Sequence, residues 1–371
     1  MSEAALRDLL HLRALPGIGD VRFRRLLVQH GTAARALRAP LDELGERAAS
    51  ARDDPAILGR VERSLQTIAA RDVEVLLHGQ RRYPRRLRQL AVPPPVLFAR
   101  GRLNLLRQPA ITVVGSRHAT QYGLDVARLL SGALAREGYV IVSGLAQGID
   151  RAAHEGCLEA GGDTIAIVGS GIDVVFPHEH EMLQERIARE GLLLTEFLPG
   201  EPPLRHNFPR RNRILAALGL GVLVVEAKEQ SGVNSTVSHA LDLNRDVFAV
   251  PGPIGRPTSA GTNALIRDGA KLVTDVDDIL AEVRLATRRR ARVRIRERAD
   301  GGPNGVLPVV AEPDPETPAG ALWRALGPDP KHVDELAVTT GLTTSAALTG
   351  LLELELEGRV TRRSGMRFSR C

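Results

Sequence analysis

Four arginines fall within nine residues of the stretch Leu204–Leu218, LRHNFPRRNRILAAL: Arg205, Arg210, Arg211 and Arg213. One aromatic, Phe208, and the amides Asn207 and Asn212 stand among them, and the apolar run Ile214–Leu218 follows directly. A loop feeding a helix would set these arginines at the helix start, where the dipole is already positive. A local conflict of that kind points to a binding site. The chemistry is recognition of a polyanion, because cations and exposed N–H groups at a helix start together bind phosphate. Phe208 would offer a base a face to stack on. The plainer alternative is a solvated charged turn ahead of a core helix.

Such a stretch needs a framework that gathers it with other phosphate-binding groups. From Ile111 onward the sequence alternates short apolar runs with helical patterns. Strands are predicted at Ile111–Val114, Val140–Val142, Thr164–Val168, Leu192–Thr195, Val222–Val225 and Val247–Val250. Helices are predicted at Leu124–Arg136, Arg151–Ala160, Glu181–Arg189, Arg213–Leu218 and Ser235–Asn244. Continuous apolar runs suit strands buried on both faces, and the alternation implies a parallel sheet covered by helices. Most of these strands end in small residues: Gly115-Ser116 before Arg117, Ser143-Gly144, Gly169-Ser170-Gly171 and Pro251-Gly252, with Ser231-Gly232 shortly past the fifth. Ligands of open parallel sheets bind outside the strands' carboxyl ends, where glycine lets a backbone approach phosphate closely. No G-x-G-x-x-G follows the first strand and no G-x-x-x-x-G-K-[ST] occurs, which removes the main support for dinucleotide binding and NTP hydrolysis.

Other residues tempt. Asp150 and His154 are spaced for metal or acid–base work, but also for a helix-capping aspartate above a packed histidine. His178, Glu179, His180 and Glu181 lack the H-E-x-x-H spacing and read as a solvated helix start. Glu196 and Glu226 end strands at the ligand edge and could act as acids, so the competing function is a Rossmann-like nucleotide-binding or nucleoside-monophosphate hydrolysing enzyme. No catalytic residue, metal or cofactor is assigned.

The chain has 371 residues, Lys+Arg 50 against Asp+Glu 44, and two distant cysteines, Cys157 and Cys371. That fits two or three domains in a reducing compartment. With no signal-peptide pattern and no apolar run of membrane-spanning length, a cytoplasmic protein without a membrane partner is expected. Residues 1–66 read as an all-helical domain whose turn LPGIG, Leu15–Gly19, suits a helix-hairpin-helix. Residues 67–286 hold the sheet, opened by a strand at Val73–Leu77. Residues 287–318, with seven arginines between Arg288 and Arg298, read as a linker. Residues 319–371 read as a winged helix: helices Gly320–Leu326, Val333–Thr339 and Ser345–Glu357, then strands Arg359–Arg363 and Met366–Arg370. Its third helix carries Glu353, Glu355 and Glu357 and no Lys or Arg, which favours protein contact over duplex reading.

Several motifs together resemble one family. VVGSR (Val113–Arg117), SGLAQGID (Ser143–Asp150), AAHEG (Ala152–Gly156), GSGIDVVFP (Gly169–Pro177), FPRRNRI (Phe208–Ile214), VVEA (Val224–Ala227) and DVFAVPG (Asp246–Gly252) are similar to the DNA-processing protein DprA (Smf) family, in its order. The resemblance covers about residues 70–284. It implies an α/β fold, a Rossmann-like doubly wound, mostly parallel sheet core, with an N-terminal all-helical (SAM/helix-hairpin-helix-like) domain and a C-terminal winged-helix domain. It further implies a homodimer that binds single-stranded DNA entering by natural transformation, protects it and loads the recombinase RecA. Arg117 matches a family DNA-binding arginine and Arg205 a basic DNA-contacting position. Phe208 with Arg211, Asn212 and Arg213 falls on the family's FPxRNR pocket. The expected site adds Arg210, Gly115, Ser116, Ser143, Gly144, Gly169, Ser170, Gly171, Ser231 and Gly232. Where the family has SGS followed by L-I-T, this chain has SGVNST, Ser231–Thr236, which changes one edge of the pocket. Four phosphate contacts, at Arg117, Arg205, Arg211 and Arg213, would give a log–log salt slope of about −3.

Overall fold

The structure, a computed structural model, describes residues 1–283, 317–327, 330–356, 360–363 and 366–370. It divides into two units, Met1–Arg288 and Arg289–Cys371. The linker expected over 287–318 lies almost wholly outside the described residues, as does Glu357.

The first unit is built on a nine-stranded sheet. Its strands are β1 (Glu74–Leu77), β2 (Val96–Gly101), β3 (Ala110–Val114), β4 (Val140–Ser143), β5 (Thr164–Ile167), β6 (Leu192–Thr195), β7 (Gly221–Val224), β8 (Asp246–Ala249) and β9 (Lys271–Leu272). They lie in the order β1-β2-β6-β5-β4-β3-β7-β8-β9. From β6 to β9 every pairing is parallel, and β1 and β2 join antiparallel at one edge. Side chains alternate across a strand. Val140 and Val142 accordingly enter one buried cluster while Ile141 enters the other, and Leu223 is set against Val222 and Val224 in the same way. β3 pairs with both β4 and β7, so the chain winds outward in two directions from it. The carboxyl end of β3 is thus the point where strand order reverses, the preferred place for a ligand crevice.

The N-terminal helices are α1 (Glu3–Ala14), α2 (Asp20–His30), three short turns, α3 (Ala33–Ala36), α4 (Leu41–Leu44) and α5 (Glu46–Ser50), and α6 (Pro55–Ala70). Leu10, Phe23 and Val61 share one buried cluster with Phe98, Leu193 and Leu198 of the sheet region. The all-helical segment expected over 1–66 is therefore a layer of the first unit, and α6 runs on to Ala70.

The sheet is covered by α7 (Gln121–Arg136), α8 (Ile149–Glu159), α9 (Glu181–Glu190), α10 (Asn207–Leu218), α11 (Val233–Asp242), α12 (Pro257–Arg267) and α13 (residues 276–283). α7 and α8 approach closely because Gly156 has no side chain; a Cβ there would lie 2.5 Å from Arg128 Cα. The second unit holds α14 (Pro318–Ala325), β10 (Lys331–His332), α15 (Val333–Thr340), α16 (Thr344–Leu356), β11 (Val360–Arg363) and β12 (Arg367–Arg370). Leu322, Leu336, Leu351 and Phe368 form its core, and the strands pair in the order β10-β12-β11. The expected three helices and hairpin are present, with β10 as an added strand.

Candidate nucleic-acid interface

α10 begins at Asn207, six positions before the predicted start at Arg213. Pro209 sits in its first turn, where a missing N–H costs nothing because that group has no intrahelical partner. The earlier start puts the arginines on a 3.6-residue period, which separates them. Phe208, Arg211, Asn212 and Leu215 recur at helical spacing and line one groove. Arg210 and Arg213, three apart, face another way. Both donate to Asp20 of α2 (2.7 and 3.1 Å) and to Glu196 after β6 (3.0 and 2.5 Å). Arg13 of α1 pairs with the same Asp20 at 3.0 Å. Burial pushes the Glu196 carboxyl up, against the pull of Arg213 and Arg210. Two of the four arginines of the stretch thus bind the N-terminal helical layer to the core.

The groove, about 760 Å³, opens at the carboxyl ends of β3 and β7. A smaller pocket of about 330 Å³ adjoins it, and the two share Arg117, Ala146, Phe176 and Phe208. Phe208 is half-buried, 5.7 Å from the Phe176 ring at an interplanar angle of 44°. The Arg117 guanidinium lies 5.1 Å from the Phe208 ring centre. Arg117, Arg205 and Lys228 are exposed cations along the groove. Such a pair of rings flanked by mobile cations can take a base and its phosphates.

Arg211 is different in kind. It is 3% exposed and donates to the carbonyls of Gly144, at 2.8 Å, and Ile167. Burial lowers its pKa to about 10, partly offset by Asp150, so it remains charged at neutral pH. Asp150 accepts from the Gly144 and Ala146 amides at 3.1 and 3.5 Å. Burial pushes its own carboxyl up, opposed by Arg211. This pair fixes the loop Gly144–Gln147 that walls the smaller pocket.

The glycine corners serve side chains as much as any phosphate. A Cβ on Gly144 would strike the Arg211 guanidinium, one on Gly169 would lie 3.0 Å from Phe208 Cδ1, and one on Gly115 would lie 2.5 Å from Ile149 Cγ1. Gly115, Ser116, Ser231 and Gly232 line the groove, and Gly144, Gly169 and Ser170 line the smaller pocket. Ser143 is buried and donates to Val113 O at 2.6 Å, and Gly171 packs where a Cβ would meet Gly200 N and Leu198 O at 2.7 Å. Neither lines the groove or its neighbour, nor do Arg210 and Arg213. The altered SGVNST edge places Asn234 outward, donating to Glu229 O at 2.8 Å, while the Ser231 hydroxyl is buried without a partner.

The residues weighed for other chemistry are committed elsewhere. His154 is fully buried, 2.7 Å from Thr164 Oγ1, and burial lowers its pKa to about 3. His180 sits under the same loop, with Nδ1 3.0 Å from Leu145 O. No group of metal-binding side chains occurs among the described residues. Glu226 accepts from Thr120 N and Oγ1 at 2.9 and 2.6 Å, and Glu196 is held by two arginines, so neither acid presents a free carboxylate to the groove.

The family model for DNA recombination-mediator protein A matches residues 74–284. The chain belongs to that family. A DprA winged helix domain model matches residues 308–366. Among relatives, Protein Smf of Synechocystis is 36% identical over 309 residues, covering 78% of each chain. DNA processing protein DprA of Streptococcus pneumoniae is 47% identical over 200 residues, 54% of this chain and 71% of that one. The X-ray structure of DprA from S. pneumoniae aligns with a TM-score of 0.63 at 36% identity, over 75% of this chain and 97% of the other. DNA processing protein A from Helicobacter pylori, whose structure describes a single-stranded DNA binding mode, aligns with a TM-score of 0.52 at 29% identity, over 58% and 96%. Within this recombination-mediator fold, Phe176, Asp150, Ala146, His118 and Lys228 join the groove walls without having been assigned to the site from sequence. Phe176 carried a legible signal, an aromatic shortly past a glycine corner.

Proposed function

We propose that this chain binds single-stranded DNA along the groove at the ends of β3 and β7, with no catalytic step. The observation that carries this reading is the half-buried Phe208 between Phe176 and Arg117, with Arg205 and Lys228 on the same groove. Family membership and the single-stranded DNA binding mode described for the H. pylori protein support it. Of the four cations expected from sequence, Arg213 is committed to carboxylates and Arg211 to backbone carbonyls, while Lys228 joins Arg117 and Arg205 on the groove. Three contacts at about −0.7 each predict a salt slope of roughly −2, shallower than the sequence alone suggests. Arg117→Ala with Arg205→Ala flattens it to about −0.7. A slope unchanged by the double substitution contradicts the reading.

In the cell the bound strand is DNA taken up by natural transformation, held by a cytoplasmic homodimer that shields it and loads RecA. No helix among the described residues is long and apolar enough to cross a membrane. The acidic helix α16, with Glu353 exposed, is the partner surface for RecA. Deletion of residues 319–371 then abolishes stimulated RecA filament assembly on coated single strands while leaving DNA affinity in place. Loading that survives the deletion moves the contact to the first unit. Light scattering reads the dimer directly, and a monomeric mass contradicts it.

A further inference from the structure

A second depression, of about 650 Å³, lies between the N-terminal layer and the core. Arg60 and Arg63 of α6 and Pro16 and Ile18 of the turn before α2 face Phe197 and His206 across it. Ile18, Ile57 and Leu198 give its lining apolar surface and Arg60 and Arg63 give it charge, the combination that receives a base and its phosphate together. Arg60 donates through one Nη to Ala14 O at 2.6 Å, and its Nε is buried without a partner. Arg63 is exposed and makes no ion pair among the described residues. Two acids also line the space. Glu196 is occupied by Arg210 and Arg213, and Glu201 remains as the one opposing charge.

The two depressions are consecutive along the chain. Arg205 lines the first groove and His206, the next residue, lines the second. We infer that this depression is a second nucleotide site for the same single strand, reached past Arg205 and His206, with Arg63 on its phosphate. The ligand is a deoxynucleotide unit continuous with the one at Phe208, so the inference rests on the reading under Proposed function. It gives the N-terminal helices a direct share of the strand.

Oligothymidylates of about 6 and about 20 nucleotides separate the sites, since one binding fold spans on the order of 4–16 nucleotides. In the full chain, Arg63→Glu weakens the longer oligonucleotide by roughly fivefold or more and leaves the shorter unchanged. Arg63→Ala lowers the longer strand's salt slope by about 0.7. The unfolding midpoint stays constant, because the side chain is exposed and unpaired. Equal affinity of Arg63→Glu and the unaltered chain at both lengths overturns the inference, as does a loss equal at both lengths. Phe208→Ala keeps the two readings apart. If it weakens both lengths while Arg63→Glu weakens neither, the second site alone fails. If Phe208→Ala changes nothing at either length, the first groove fails and the second site with it.

Discussion

Phe208→Ala lowers affinity for an oligothymidylate by about 1–3 kcal/mol, a loss of roughly 5- to 150-fold. The ring is half-buried, with the Arg117 guanidinium 5.1 Å from its centre and the Phe176 ring 5.7 Å away, so a base stacks there in place of the arginine as Arg117 turns to a phosphate. Its position on the first turn of α10 is set by backbone, and Gly169 leaves the room it needs. The substitution also removes the surface beneath Arg117. Arg117→Ala in the Phe208→Ala background therefore costs less than Arg117→Ala alone, because the two side chains act in contact. Fluorescence anisotropy with the four proteins of this cycle reads both effects. Unchanged affinity of Phe208→Ala, or strict additivity, contradicts stacking at this ring.

Arg211→Ala destabilises the first unit by about 1–3 kcal/mol for each buried carbonyl left without its donor, and removes the charge that opposes the burial of Asp150. Arg211 and Asp150 are both buried, at 3% and 6% exposure, so solvent screens the loss little. Two carbonyls, of Gly144 and Ile167, lose their donor at the same time. Adding Asp150→Asn to Arg211→Ala restores part of the stability, by removing the stranded charge. Urea unfolding followed by far-UV circular dichroism measures this. A stable Arg211→Ala protein that has lost only DNA affinity contradicts the assignment and returns Arg211 to direct phosphate contact.

Local sequence pattern located the strands and the groove but not the partners of the arginines. The strands were legible because doubly buried strands need unbroken apolar runs, and β3, β4, β6, β7 and β8 appear within a residue or so of expectation. The groove's place followed from the glycine corners at their ends. What sequence hid was the division of labour among the arginines. The helix was expected only from Arg213, yet it starts at Asn207 with Pro209 tolerated in its first turn, and its longer course turns Arg210 and Arg213 away from Arg211. Their partner Asp20 lies 190 residues from Arg210, and no local pattern announces it. The same blindness applied to Gly144 and Gly169, whose lack of a side chain is used by Arg211 and Phe208 of a helix that follows them in the chain.

The N-terminal layer gains meaning from this division. Asp20 closes an ion-pair network with Arg13, Arg210 and Arg213, so the helix that presents Phe208 is braced from behind by α1 and α2. A structure of the full chain with a bound oligothymidylate tests the central claim most directly. The account predicts one base stacked on Phe208 beside Phe176, phosphates at Arg117 and Arg205, and Arg210 and Arg213 still paired to Asp20 and Glu196. A strand bound elsewhere, with the Phe208 pocket empty, would contradict it.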